Sequence, residues 1–162
     1  MLPSKITDRA SEIITLYTKV GLMVTTAESC TGGMIIGSLT EVSGSSLVVD
    51  RGFVTYSNEA KNELIGVDMA MITEHGAVSH QVAQAMAEGA LARSNAAAAV
   101  SVTGVAGPGG GTTDKPAGLV FIGGARKDRE SIVQKHLFNG DRSAVRQATV
   151  LAALLMFKTL AD

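Results

Sequence analysis

Apolar and polar positions along this chain switch between a helical and a strand period. Over residues 4–20, Ile6, Ala10, Ile13, Ile14, Tyr17 and Val20 recur at spacings of three and four. That pattern predicts an amphipathic helix, and Gly21 is a natural stop. Leu22 to Ala27 reads as a short β-branched strand. Residues 31–40 read as a helix whose opening Gly32-Gly33 pair permits close approach, and Gly52 to Tyr56 as an alternating strand. A short helix follows over 58–65. Residues 79–94 return to the helical period, with Ser79 as N-cap and Val82, Ala83, Met86, Ala87, Ala90 and Leu91 on one face. Ala97 to Thr103 is apolar on both faces, as a central strand would be. Gly118–Ala125 and Ser131–Phe138 predict a hairpin around the charged turn Arg126-Lys127-Asp128-Arg129. Asp141 caps a last helix over 142–160, with Val145, Ala148, Leu151, Ala152 and Leu155 inward.

Alternating helices and strands with one late hairpin imply an α/β fold: a three-layer α/β/α sandwich on a mixed, mostly parallel sheet. No repeat or linker divides the chain, so 1–162 reads as a single domain. Composition narrows the function. Apolar residues make up 46% and charged residues 18% of the 162, which excludes disorder. Fourteen basic against fifteen acidic residues, net −1, exclude a broad nucleic-acid surface. One cysteine, Cys30, allows no internal disulfide and fits a reducing, cytoplasmic setting. His75, His80 and His136 lack metal-ligand spacing, so neither metal nor organic cofactor is expected. The first 21 residues carry charges and no signal-like apolar core. The longest uncharged run, Ser94 to Thr113, is broken by Asn95, Pro108 and glycines, so no membrane contact is expected.

Four segments could carry chemistry. In Thr26-Ala27-Glu28-Ser29-Cys30-Thr31-Gly32-Gly33 a strand meets a helix with a hydroxyl and a thiol at the junction. Such junctions can present a nucleophile, although simple capping by Ser29 or Thr31 explains the same residues. Tyr56-Ser57-Asn58-Glu59-Ala60-Lys61 places a lysine on a short helix. It is a base only where burial or a cationic neighbour lowers its pKa, and otherwise an ordinary solvated side chain. Glycine is in excess, 18 residues in all, and five fall between Gly104 and Gly111. That loop, following an apolar strand, is either an anion cradle or a flexible turn. Arg142 and Arg146 share a face at a helix start, where cations oppose the helix dipole and an anion would offset the cost.

Taken together, these segments resemble the C-terminal domain of the competence/damage-inducible CinA family. The resemblance rests on Ala27-Glu28-Ser29-Cys30-Thr31-Gly32-Gly33, Gly44-Ser45-Ser46, Tyr56-Ser57-Asn58-Glu59-Ala60-Lys61, Thr103-Gly104-Val105-Ala106-Gly107-Pro108-Gly109-Gly110, Lys115-Pro116-Ala117-Gly118 and Phe138-Asn139-Gly140-Asp141-Arg142. It covers essentially the whole chain, in order. It implies the activity of a nicotinamide-nucleotide amidase, which hydrolyses the carboxamide of nicotinamide mononucleotide to nicotinate mononucleotide and ammonia. The chain resembles the stand-alone form of the family, without the molybdopterin-binding-like domain that many members carry.

By the same resemblance Ser29 is the nucleophile, Lys61 its base and Tyr56 an assisting residue. Thr31, Gly32, Ser46, Asn58, Thr103, Gly104, Gly107, Gly109, Arg142 and Arg146 are the substrate-binding set. The phosphate goes to either Arg142 or Arg146. A phosphorylated nucleotide as substrate and assembly as a homo-oligomer are further implications. Two rival readings remain open at this level. Cys30 could replace Ser29 as nucleophile, or the domain could bind nucleotide phosphate or assemble without turnover.

Overall fold

All five strands join one sheet, in the order β2-β1-β3-β4-β5, in the computed structural model, which describes residues 2–162. The strands are β1 Val24–Glu28, β2 Val49–Val54, β3 Ala98–Gly104, β4 Leu119–Arg126 and β5 Arg129–Leu137. The helices are α1 Ser4–Val20, α2 Met34–Thr40, α3 Asn58–Ile65, α4 Met69–His75, α5 His80–Ala92 and α6 Arg142–Ala161. β1 pairs in parallel with both β2 and β3, whereas β3–β4 and β4–β5 are antiparallel. The sheet is therefore mixed, as expected: its pairings divide evenly between parallel and antiparallel, and β2, β1, β3 and β5 run one way with β4 reversed.

Helices cover both faces, giving the three layers expected. One face packs against α1, α2 and α6 through a core that includes Ile6, Ile13, Tyr17, Ile35, Val100, Val102, Ile122, Leu154 and Phe157. The other packs against α3, α4 and α5 through Ala27, Ile65, Ile72, Val82, Met86 and Ala99. β3 shows how one strand serves both. Ala98, Val100 and Val102 alternate with Ala99, Ser101 and Thr103, and Ser101 and Thr103 donate to the carbonyls of Ala83 and Ala77 on the α5 side. α5 lies so close to the sheet that a Cβ at Gly123 would stand 2.5 Å from the Ala83 carbonyl oxygen.

Three sequence expectations need correction. The helix expected over 31–40 begins only at Met34, because Gly32 and Gly33 take left-handed φ of 61° and 99° and break the helical path. α4 was not anticipated: it is one short turn pair capped by Asp68, and Ile72 is its only buried residue. α6 is rotated from the expected face. Val145, Thr149, Val150, Ala153, Leu154, Met156, Phe157 and Leu160 are buried, Ala148, Leu151 and Ala152 are only partly so, and Leu155 is exposed. α6 also has the length and mean hydropathy (1.3) of a membrane span, but its apolar side lies on the sheet and α1.

The topology marks one place above the rest. From β1 the chain crosses to β2 by way of α2 on one face, and from β2 to β3 by way of α3–α5 on the other. β1 is thus the switch point of the parallel half. In open α/β sheets ligands bind beyond the carboxyl ends of the strands at such a point. Ser29 is the residue that follows β1.

Candidate active site

Ser29 is held between the ends of two strands. Its N–H donates to Val102 O at 3.1 Å, and the preceding carbonyl, Glu28 O, accepts from Thr55 N–H at 2.8 Å. Its hydroxyl faces Lys61, whose Nζ stands 3.2 Å from Ser29 Oγ and donates to Thr55 O at 2.8 Å. Lys61 comes from the first turns of α3, which Ser57 caps by accepting from Ala60 N–H at 3.0 Å. The lysine is 1% exposed. Burial pulls its amine below the ordinary lysine range, since desolvation disfavours the charged form. No carboxylate lies within ion-pair distance of it among the described residues. A neutral amine needs one fixed acceptor and a hydroxyl to receive from, and both are present.

The dyad opens into a cavity of about 210 Å³ lined by Ser29, Tyr56, Asn58, Lys61, Thr103 and Arg142 among others. Arg142, from the first turn of α6, donates to Gly107 O at 3.0 Å and to Tyr56 Oη at 3.3 Å. Beyond it a second depression of about 310 Å³ is shared by Gly107, Pro108, Gly140 and Asp141. Ala106 and Arg142 line both, so the two adjoin. A larger groove, about 550 Å³, runs along α1 near Ile13, Leu16 and Lys158, but it offers no buried base. The glycine-rich loop is tied down at its far end, where Lys115 Nζ donates to His75 O at 2.6 Å.

Cinched between strand ends and glycine loop, this arrangement matches a known domain: the CinA C-terminal domain model fits residues 6–161. This chain belongs to that family. Among curated relatives, nicotinamide-nucleotide amidohydrolase PncC of Escherichia coli is 51% identical over 133 residues, 82% of this chain and 81% of its own. The PncC of Enterobacter agglomerans is 53% identical over the same shares. A longer competence-damage inducible relative from Caldicellulosiruptor bescii is 53% identical over 142 residues, 88% of this chain but 34% of its own length. Among solved structures, the competence/damage inducible protein CihA from Agrobacterium tumefaciens superposes with a TM-score of 0.98. It shares 50% identity, with 100% of this chain and 99% of that one covered.

In this CinA domain the anticipated site residues divide into four groups. Ser29, Tyr56, Asn58, Lys61, Thr103, Gly104 and Arg142 meet at the cavity. Thr31, Gly32 and Arg146 lie beside it but serve the turn itself. The Thr31 hydroxyl is buried and donates to Glu28 at 2.6 Å, while Arg146 donates to the carbonyls of Cys30 and Thr31 at 3.1 and 3.0 Å. Gly107 offers its carbonyl to Arg142, and Gly109 lies in open space on the loop. Ser46 is not brought to the site. It sits in the 3₁₀ turn Ser45–Leu47 that precedes β2, at the opposite end of the strand from Thr55. Cys30 is 6% exposed, and burial pushes its thiol up to about 11, so it stays protonated and unreactive near neutrality.

One residue of structural weight escaped the sequence reading. Glu28 is fully buried, and its carboxylate accepts from Thr26 and Thr31 hydroxyls and from the N–H groups of Gly33, Ile35 and Ile36. It caps α2 from the strand before it. An acidic residue at the end of an apolar strand, five residues before a glycine-started helix, was the available signal.

Proposed function

We propose that this chain is a nicotinamide-nucleotide amidohydrolase that deamidates nicotinamide mononucleotide through a Ser29–Lys61 dyad. The observation that carries the reading is the 3.2 Å approach of a buried lysine amine to the serine hydroxyl. Neutral Lys61 takes the Ser29 proton as Oγ attacks the carboxamide carbon. The tetrahedral intermediate collapses, the C–N bond breaks, and Lys61 returns the proton so that ammonia leaves. Water, deprotonated by Lys61, then attacks the acyl-serine ester and releases the nicotinate nucleotide and free Ser29.

In this reading Arg142, which lines both the cavity and the neighbouring depression, meets the phosphate. The pyridine carboxamide would enter the first and the ribose phosphate the second. The names of the relatives at 51–53% identity support the same substrate. Homo-oligomeric assembly and a role in cytoplasmic pyridine-nucleotide recycling belong to the same proposal. The test is ammonia release by the purified chain from nicotinamide mononucleotide and a small panel of other amides. Ser29→Ala is expected to lose at least about 10³-fold in kcat, and Cys30→Ala to keep nearly all activity. Loss in the cysteine variant alone would overturn the assignment of the nucleophile.

A further inference from the structure

We propose that the backbone N–H groups of Cys30 and Thr31 form the oxyanion cradle of this site, and that Arg146 is the positioning residue that holds it. The inference rests on the amide-hydrolysis reading above. When Ser29 Oγ bonds to the carbonyl carbon, the π pair moves onto the carbonyl oxygen. Donors fixed in advance around that oxygen supply much of the catalysis in such reactions.

The obvious donors are not free. The N–H groups of Gly33, Ile35 and Ile36 at the start of α2 all donate to Glu28, at 3.1, 3.0 and 2.9 Å. Gly32 N–H donates to Ser29 O, and Met34 N–H to Thr31 O. Between Ser29 and Ile36 the N–H groups of Cys30 and Thr31 are the two with no acceptor on another residue among the described residues, although Cys30 N–H lies against its own thiol. Cys30 lines the cavity and is 6% exposed, while Thr31, next in the chain, is 0% exposed. Buried N–H groups without partners are uncommon, and a partner arriving with the substrate accounts for these two.

Their direction follows from the turn. Ser29 to Gly32 is a reverse turn closed by Gly32 N–H to Ser29 O at 3.1 Å. In such a turn the N–H of the third residue lies toward the side chain of the first, which is why short polar side chains so often bond it there. Here the third residue is Thr31 and the first is the nucleophile. Arg146 then fixes the peptide plane. Its Nε donates to Cys30 O and its Nη2 to Thr31 O. Because the Cys30–Thr31 peptide is planar and trans, gripping Cys30 O aims Thr31 N–H the opposite way. The fork of a guanidinium suits two neighbouring carbonyls, and a lysine would hold one. The two arginines of α6 thus divide the work. Arg142 reaches the cavity, and Arg146, one turn later, sets the turn that carries the nucleophile.

The experiment compares Arg146→Met and Arg146→Lys with the unaltered chain in two assays. One is ammonia release from nicotinamide mononucleotide. The other is labelling of Ser29 by a fluorophosphonate, followed by intact mass. There the Oγ–P bond forms, the P–F bond breaks, fluoride leaves and the serine proton passes to Lys61. For Arg146→Met, kcat and the labelling rate are expected to fall together by about 10²-fold. KM should stay within about two-fold, and the pH midpoint of the rate, set by Lys61, should not move. Arg146→Lys should fall between, and it carries the comparison if the methionine variant unfolds. A raised KM with kcat retained would make Arg146 a substrate ligand and overturn the proposal, as would unchanged rates in both assays. Should the unaltered chain take the label on Ser29 yet release no ammonia, the amidase reading fails, and the labelling rates still decide the role of Arg146.

Discussion

In the proposed mechanism, Lys61 can act as a base because of what is missing around it. Its amine is buried, meets one carbonyl and one hydroxyl, and among the described residues has no carboxylate to hold its proton. Its pKa therefore lies below the ordinary lysine value, and the rate of ammonia release should rise with pH as the amine loses its proton. Lys61→Arg keeps the charge and cannot act as a base, so a loss of about 10²–10⁴-fold is expected in the same assay. Stability follows with a definite sign. Between the depressed folded-state pKa and the unfolded value, the unfolded chain binds a proton that the folded chain does not. Stability thus rises with pH across that window and falls as pH drops through it. Lys61→Met should remove this slope in denaturant titrations at several pH values, and should unfold no earlier than the unaltered chain at neutral pH. At this scale much of the site was legible. Ser29, Tyr56, Lys61, Thr103 and Arg142 were singled out by the family resemblance, since residue types and spacing alone fitted a helix cap or a solvated side chain as well. For Thr31 and Arg146 the sequence shows that a guanidinium and a hydroxyl are near the turn, but not that they meet Glu28 and the carbonyls of Cys30 and Thr31. Ser46 shares a motif with the site residues, yet chain direction carries it to the far end of β2.

The elements were legible where their period is long and their caps are strong. α1 and α5 follow from apolar spacing with Gly21 and Ser79 as boundaries, and β3 from its two apolar faces. α4 was hidden because one buried residue makes no periodicity. The face of α6 was misread because its apolar positions go almost all the way round, so spacing alone does not say which side meets the sheet. The start of α2 was misread for a different reason: the element is organised from outside its own sequence. Glu28, on β1, takes three of its N–H groups. Glu28→Gln would replace a carboxylate that only accepts by an amide that turns an NH₂ group toward those donors. A cost of about 2–4 kcal/mol is expected, and a fall of roughly 6–12 °C in unfolding temperature measured by circular dichroism. Loss of activity should accompany it, since the turn bearing Ser29 is built on the same carboxylate.

For the whole molecule, a net charge of −1 offers no long-range attraction to an anionic nucleotide. Capture would then be local, and in the proposed reading it falls to the exposed guanidinium of Arg142. In that reading the two events use differently exposed groups of one cavity. On the outer side is a cation in contact with solvent. On the inner side is an amine whose fixed companions, Thr55 O and Ser29 Oγ, carry no charge. Added salt distinguishes the two, because screening acts on exposed charges over about 8–10 Å and hardly at all on neutral groups inside. Raising ionic strength should therefore raise KM for nicotinamide mononucleotide while kcat stays level, in steady-state assays at fixed pH. The uncharged setting of Lys61 thus implies an enzyme whose turnover is indifferent to the saltiness of its surroundings and whose appetite for substrate is not.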